Sequence, residues 1–158
     1  MKDMVVVLHN IRSLHNVGSI FRTADAASVC KIYLCGITPT PLDRFNKPRG
    51  QFTKVSLGAE KSVTYEKISK TTIIIKKLRE AGYKIFAVEQ SKKSKEYFRF
   101  QKAAKKQKIA VILGNEVRGL PPAILKLADK ILEIPMAGKK ESLNVAVAFG
   151  IVIYRLIY

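Results

Sequence analysis

Short, continuously apolar runs alternate along this chain with segments of helical periodicity. Six runs are rich in β-branched residues and predict strands at 4–8, 31–35, 62–65, 83–88, 108–113 and 130–134. The intervening periodic segments predict helices at 17–28, 67–81, 121–127 and 143–157. Runs that are continuous rather than alternating are typical of strands buried on both faces. The pattern therefore predicts an α/β fold, with a mostly parallel sheet covered by helices.

The proline-rich segment 36–52 has no regular period and predicts a long loop. The chain has 158 residues, of which 47% are hydrophobic, so a single domain over 1–158 is predicted. The last predicted helix is apolar nearly all round and must be buried. We expect part of it to lie in a two-fold homodimer interface. The alternative is a central core helix of a monomer.

A large excess of positive charge changes this picture. There are 29 Lys and Arg residues against 12 Asp and Glu, a net charge of +17, which indicates a polyanionic partner. RNA, DNA and an anionic membrane surface all fit. The longest apolar stretch, 143–158, contains Asn144 and Arg155 and is too short to span a membrane. No signal-peptide pattern precedes the first strand, so the predicted location is cytoplasmic.

Three polar clusters interrupt the apolar pattern, in the segments 9–26, 113–122 and 134–150. Loops at the carboxyl ends of parallel strands converge where open α/β sheets bind ligands. Each cluster also has a structural explanation. Asn16 is predicted to cap a helix and Arg22 to pair with Asp25, while Ser142 and Asn144 could both be caps. Glu116 could pair with Arg118 or Lys139.

Known catalytic constellations do not fit these clusters. The two histidines have no evident Ser or Cys nucleophile as a partner, and no carboxylate pair or metal-ligand cluster has usable spacing. The two cysteines, Cys30 and Cys35, make neither a zinc site nor a disulfide framework, and both are predicted to be buried thiols. The sequence therefore predicts no metal and favours chemistry supplied by a bound cofactor.

Three ordered motifs then identify a family. They are NVGSIFRTAD (16–25), ILGNEVRGL (112–120) and IPMAGKKESLNVAVA (134–148). In order and spacing they resemble the signature motifs of the SpoU (TrmH-like) RNA ribose 2'-O-methyltransferases of the SPOUT superfamily. The resemblance implies a homodimeric, S-adenosyl-L-methionine-dependent enzyme whose C-terminal segment forms a deep trefoil knot. It also implies methylation of a ribose 2'-hydroxyl in tRNA or rRNA.

The resemblance also implies roles for individual residues. Arg22 would clamp a phosphate and stabilise the developing alkoxide, because a guanidinium is always charged and is a poor general base. Two further sets of residues are implied. One set forms the pocket for S-adenosyl-L-methionine, and the other positions Arg22, the cofactor and the ribose. The pocket residues are Val88, Gly114, Ile134, Met136 and Leu143, and the positioning residues are Asn16, Glu116, Ser142 and Asn144.

RNA contacts are predicted in two places. Arg12, Lys47 and Arg49 lie in loops near the first motif. The run 92–108 interleaves seven lysines with aromatic residues, which suits stacking on unpaired bases, although a solvated helix face with its aromatics turned inward explains it equally well. No accessory RNA-binding domain is predicted, so recognition would come from this domain, its dimer partner or another protein. The alternatives are a non-catalytic RNA-binding or ribosome-assembly factor and a base-methylating SPOUT relative.

Overall fold

The computed structural model describes residues 3–100 and 107–158, and within them seven strands and six α-helices form one sheet with helices on both faces. The strands are β1 (Asp3–His9), β2 (Lys31–Cys35), β3 (Thr64–Ile68), β4 (Lys84–Val88), β5 (Lys95–Glu96), β6 (Lys108–Leu113) and β7 (Lys130–Glu133). The helices are α1 (Leu14–Ala26), α2 (Gly50–Ser56), α3 (Ala59–Ser62), α4 (Thr71–Glu80), α5 (Pro122–Leu125) and α6 (Val145–Ile157).

The strands follow the order β3-β2-β1-β6-β4-β7-β5, and every neighbouring pair is parallel. The carboxyl ends of the central strands are level, since Leu113 pairs with both Leu8 and Val88, and Val88 pairs with Leu132. This confirms the predicted α/β fold with a parallel sheet. It also brings the loops that follow β1, β4, β6 and β7 to one edge of the sheet.

The core has two layers, one on each face of the sheet. In β1, Val6 and Leu8 pack with α1 and α6, whereas Val5 and Val7 pack with α4 and α5 on the opposite face. All four side chains are almost completely buried. Burial on both faces is the reason that the central strands read as continuous apolar runs.

The boundaries differ from the prediction where a strand lies at the sheet edge. The strand predicted at 62–65 is β3, at 64–68, and the helix predicted from residue 67 begins at Thr71. β3 pairs on one side only and is largely exposed, so its sequence is polar and gives a weak strand signal. The predicted loop ends earlier than expected, because α2 begins at Gly50 and buries Phe52.

The basic run is not a helix in its described part. Residues 95–96 form β5, and Tyr97–Arg99 form one turn of 3-10 helix, while residues 101–106 lie outside the described residues. The aromatic side chains divide between two environments. Phe100 packs edge-on against Phe86, with ring centroids 5.0 Å apart, whereas Phe98 is 48% exposed. The predicted helix is therefore wrong for residues 92–100, whereas the alternative's inward-turned aromatic side chains are confirmed for Tyr97 and Phe100.

The last helix is the most apolar element and is only partly covered. α6 buries Phe149, Val152, Ile153 and Leu156, and leaves other apolar side chains such as Val147 in solvent, 51% exposed. In the part of the chain that the structure describes, no helix has the length and apolar character needed to cross a bilayer. The prediction of two buried thiols is wrong for one of them. Cys35 in β2 is buried, but Cys30 in the loop before it is exposed.

Candidate active site

Side chains from all three motifs join at the carboxyl edge of the sheet. Asn16 Nδ2 donates a hydrogen bond to Glu116 Oε1 at 3.2 Å, and Asn144 Nδ2 donates to Asn16 Oδ1 at 2.9 Å. Asn144 Oδ1 in turn accepts from the backbone N–H of Ala146 at 2.9 Å and caps α6. One side chain, Asn16, thus connects the first motif to the other two. We call the three side chains Asn16, Glu116 and Asn144 the motif network.

Asn16 can bridge because it is not the helix cap that the sequence predicted. α1 begins earlier, at Leu14, and Ser13 is its cap, with Ser13 Oγ accepting from the Asn16 backbone N–H at 3.2 Å. The Asn16 amide is therefore available to the other motifs. It is 8% exposed, whereas Glu116 and Asn144 are exposed, so both of its hydrogen bonds are partly buried.

Glu116 binds the start of α1 rather than a basic side chain. Its carboxylate accepts from the backbone N–H groups of Arg12 and Ser13, both at 3.2 Å, as well as from Asn16. The salt bridges of the described residues involve other side chains, so the predicted alternative of a pair with Arg118 or Lys139 is wrong. Burial raises the pKa of Glu116, but the N–H bonds outweigh it and the pKa is lowered overall.

The second motif forms a tight turn on its own backbone. Asn115 Oδ1 accepts from the N–H groups of Val117 and Arg118, at 3.0 and 2.9 Å. A Cβ on Gly114 would lie 2.5 Å from the carbonyl carbon of Gly119. The close approach of the chain to itself therefore requires a glycine at position 114.

A residue that the sequence analysis missed secures this turn from β4. Glu89 Oε2 accepts from the Leu120 N–H at 2.7 Å, and Glu89 Oε1 accepts from the Gln90 N–H at 2.9 Å. Glu89 follows Val88 directly, so the available signal was a carboxylate at the end of a buried strand.

The structure does not bring Arg22 to the motif network. Arg22 is exposed on α1, six residues after Asn16. Six residues are about 9 Å along a helix, and Arg22 points about 120° away from Asn16 around its axis. The hydrogen bonds of Asn16, Glu116 and Asn144 do not include Arg22, and the positioning of Arg22 by these side chains stays a prediction. The alternative ion pair of Arg22 with Asp25 is wrong, because the salt bridges of the described residues do not include it. Asp25 Oδ1 instead accepts from Ser62 Oγ at 2.6 Å.

The residues predicted to hold the cofactor lie at the ends of three adjacent strands. Val88 ends β4, Gly114 follows β6 and Ile134 follows β7. Val88 and Ile134 are half-buried against the core. Met136 in the following loop is also half-buried, while Leu143 is 40% exposed.

The predicted RNA-contacting residues and Ser142 lie near the molecular surface. Ser142 is exposed two residues before the α6 cap, so only Asn144 caps the helix. Arg12 and Lys47 are exposed. Arg49 is half-buried, and its Nε donates to the Leu42 carbonyl at 3.2 Å.

A cavity of about 630 Å³ opens on the other side of Glu116, and no sequence pattern indicated it. It lies where β1, β2 and β6 end, between the loop after β2 and the turn of the second motif. It is lined by His9, Asn10, Arg12, Ile37, Asn115, Val117, Arg118, Gly119 and Pro121. Burial lowers the pKa of His9. Among residues 3–100 and 107–158, no group of three or more His, Cys, Asp and Glu side chains is arranged to hold a metal ion.

Known proteins resemble this chain in both sequence and fold. The chain is 31% identical over 157 residues to the tRNA (guanosine(18)-2'-O)-methyltransferase of Aquifex aeolicus, covering 97% of this chain and 68% of that protein. It is 28% identical over 154 residues to the 23S rRNA (guanosine-2'-O-)-methyltransferase RlmB of Ralstonia nicotianae, covering 98% of this chain and 58% of that protein.

Solved structures have the same fold. The A. aeolicus TrmH/SpoU tRNA modifying enzyme superposes with a TM-score of 0.82 at 30% identity, covering 99% of this chain and 74% of that one. The AdoMet-bound rRNA methyltransferase of Sinorhizobium meliloti has a TM-score of 0.86 at 29% identity, covering 98% of this chain and 55% of that one. The sequence model of the SpoU rRNA methylase family matches residues 3–154 of this chain. This match confirms the family predicted from the three motifs: the chain belongs to the SpoU rRNA methylase family.

Proposed function

We propose that this chain transfers a methyl group from S-adenosyl-L-methionine to a ribose 2'-hydroxyl of tRNA or rRNA. The observation that carries the proposal is the motif network, because it joins all three motifs at the edge where parallel α/β sheets bind ligands. The relatives support it, since the A. aeolicus and R. nicotianae proteins are guanosine 2'-O-methyltransferases of RNA. The net charge of +17 suits a polyanionic substrate.

The residues at the ends of β4, β6 and β7 fit S-adenosyl-L-methionine. An adenosine needs apolar walls, and Val88, Ile134 and Met136 supply half-buried apolar surface beside the exposed Leu143. Backbone groups around Gly114 would complete the pocket. When bound, the cofactor supplies an electrophilic methyl group on a sulfonium.

The protein's task is to orient the 2'-hydroxyl and stabilise the negative charge that develops on its oxygen. Arg22 is proposed for the second role, because its guanidinium is exposed and takes part in none of the salt bridges of the described residues. Asn144 and Ser142 are proposed to orient the ribose. Glu116 and Asn16 are proposed to hold Asn144 in place through the motif network.

The homodimer is part of the proposal, and so is the C-terminal knot implied by the resemblance. α6 supports a dimer because it leaves apolar side chains, including Val147, in solvent. The separation of Arg22 from Asn16 within one chain supports it further, because a second copy could supply the arginine. A cytoplasmic location and the absence of a resident metal complete the proposal.

The test is transfer of labelled methyl groups from S-adenosyl-L-methionine into total tRNA and total rRNA. Wild type should label one RNA class, with the product mapping to 2'-O-methylribose. Arg22→Ala should lower the rate about 10²- to 10³-fold, the effect of removing one charge-stabilising donor. Lys84→Ala is the control, because Lys84 is an exposed cation at the amino end of β4, away from the carboxyl ends that carry the motif network. Transfer that is equal in wild type and Arg22→Ala would refute the role of Arg22.

A mixing experiment decides whether Arg22 acts between copies. Arg22→Ala and Asn144→Ala are each expected to be inactive alone. If the two residues serve one site from different chains, mixed dimers regain activity at one of their two sites. If both residues must be on one chain, the mixture is no more active in methyl transfer than either variant alone.

The second candidate is a non-catalytic RNA-binding or ribosome-assembly factor. The basic surface favours it as much as it favours the enzyme. Wild type that binds both S-adenosyl-L-methionine and RNA, yet transfers no methyl group to either RNA pool, would support this candidate over the first.

A further inference from the structure

The cavity beside Glu116 is separate from the residues proposed for the cofactor. None of Val88, Gly114, Ile134, Met136 and Leu143 lines it. It is joined to the motif network, however, through its own wall. The Arg12 backbone N–H donates to Glu116 Oε2 at 3.2 Å, and the turn that carries Glu116 forms one side of the cavity. A molecule in the cavity would therefore lie next to the motif network without occupying the cofactor pocket.

The amide and imidazole groups of the wall are already engaged. Asn10 Oδ1 accepts from the Ile37 N–H at 3.1 Å, which turns Asn10 Nδ2 towards His9 Nε2 at 3.2 Å. His9 Nε2 is thereby an acceptor, and Nδ1 donates to Thr71 Oγ1 at 2.7 Å. Asn115 is likewise fixed, with Nδ2 donating to the Asn10 carbonyl at 2.8 Å. These groups make a rigid wall and leave little to read the edge of a base.

Two guanidiniums are the polar groups left for a ligand. Arg12 and Arg118 are exposed, and the salt bridges of the described residues do not involve them. Ile37 and Val117 border the same cavity and are 62% and 88% exposed. Paired guanidiniums recognise phosphate, and exposed apolar side chains beside them suit the face of a base. They disfavour the sulfonium cation of S-adenosyl-L-methionine.

From this arrangement we propose that the cavity binds a nucleotide of the RNA strand adjacent to the methylated ribose, through its phosphate and the face of its base. The position of this nucleotide next to the methylated ribose rests on the proposed function. The nucleotide site itself rests on the cavity. Because the free polar groups are all donors to phosphate, binding here is tolerant of base identity and sensitive to salt.

The test measures binding rather than catalysis. A labelled, short single-stranded RNA of mixed sequence is titrated with wild type, Arg12→Gln, Arg118→Gln and the double variant over a range of salt concentrations. Arg12→Gln keeps the backbone N–H that binds Glu116, so the fold is preserved, and thermal unfolding verifies this. Lys84→Gln is the matched control, since it removes one exposed positive charge at the opposite edge of the sheet.

Each arginine change should weaken RNA binding about tenfold and lower the slope of log affinity against log salt by about 0.7, the effect of one lost phosphate contact. Lys84→Gln should change neither quantity comparably. The same titration with adenosine monophosphate separates the two sources of nucleotide. Arginine-dependent binding of RNA alone assigns the cavity to the polymer, and equal dependence for both probes makes it a site for free nucleotides as well.

The inference is overturned if Arg12→Gln and Arg118→Gln bind both probes as Lys84→Gln does. Methyl transfer is measured on the same samples and judges the proposed function independently. If wild type transfers methyl groups and the arginine variants bind RNA normally, the nucleotide site is refuted and the proposed function stands. If wild type transfers no methyl group but its RNA binding depends on both arginines, the proposed function is refuted and the nucleotide site is supported.

Discussion

Replacing Asn16 by aspartate would put a second carboxylate against Glu116 with almost no change in shape. In the native site, Asn16 Nδ2 donates to Glu116 Oε1 at 3.2 Å, and Asn16 Oδ1 accepts from Asn144. The change Asn16→Asp keeps the acceptor and replaces the donor by an oxygen. It therefore removes the bond to Glu116 and leaves the bond to Asn144.

The cost near neutral pH has two parts. Losing a hydrogen bond to a charged group costs about 1.5 kcal/mol, the low end of the range because Glu116 is exposed. Two carboxylates 3.2 Å apart repel by about 1.3 kcal/mol in a dielectric of about 80. Together the free energy of unfolding should fall by about 3 kcal/mol.

This loss should depend on pH. One proton shared between the two carboxyl groups restores the bridge, so the pKa of the pair in the folded protein is raised above that of the unfolded chain. A raised pKa stabilises fully in acid, and the stabilisation is lost as the pH rises through the folded pKa. At about pH 5.5 the deficit should therefore shrink by about 1 kcal/mol.

Urea unfolding of wild type, Asn16→Asp and Asn16→Ala at both pH values is the assay. Asn16→Ala lacks both hydrogen bonds but introduces no charge, so its deficit should be the same at both pH values. Equal deficits for Asn16→Asp at the two pH values would mean that no carboxylate pair forms. The hydrogen bond between Asn16 and Glu116 would then not be part of the folded protein in solution.

Three further predictions follow from single contacts. The pKa of Glu116 is lowered because its N–H bonds outweigh the opposing effect of burial. Its stabilisation is therefore present above about pH 4.5 and lost as the pH falls through the folded pKa, so Glu116→Gln should flatten this acid limb in urea unfolding at a series of pH values. Gly114→Ala should cost about 1 to 3 kcal/mol in thermal unfolding, because its Cβ would lie 2.5 Å from backbone, whereas Gly138→Ala, with nothing within 4 Å, should be neutral. A thiol reagent should label Cys30 in the native protein and reach Cys35 only in denaturant, because Cys35 is buried and burial raises its pKa to about 11; labelling is counted by mass spectrometry.

The sequence predicted the central strands well because they are buried on both faces. β1 and β6 consist of residues that cannot face solvent, so the run of apolar letters and the strand nearly coincide. β3 lies at the edge, and its mixed exposure gave a weak signal whose predicted position was two residues too early. The helix α2 was missed because it begins inside a proline-rich segment and buries only one apolar side chain, Phe52.

The sequence predicted that Asn16, Glu116 and Asn144 lie together, but it did not predict the contacts between them. The joining of Asn16, Glu116 and Asn144 follows from the parallel sheet, which brings the ends of β1, β6 and β7 to one edge. Arg22 was grouped with Asn16 because both lie in one motif. The helical period alone separates them by about 120°.

The cavity was beyond prediction from the sequence, because it depends on backbone conformation. Asn10, in its wall, has a φ of 54°, in the left-handed region that few residues adopt. That conformation accompanies the contacts of its side chain with His9 and with the Ile37 N–H. Neither contact leaves a pattern in the order of the amino acids.

The hydrogen bonds of the motif network close very long loops. Asn16 lies 100 residues from Glu116 and 128 residues from Asn144 along the chain. Contacts of such separation carry a high entropic cost of closure and form late and slowly during folding. During synthesis, Asn16 and β1 emerge first, yet the network cannot close until the residues of α6 have been made. On the proposed function, a nascent chain should not transfer a methyl group before the residues of α6 have been made.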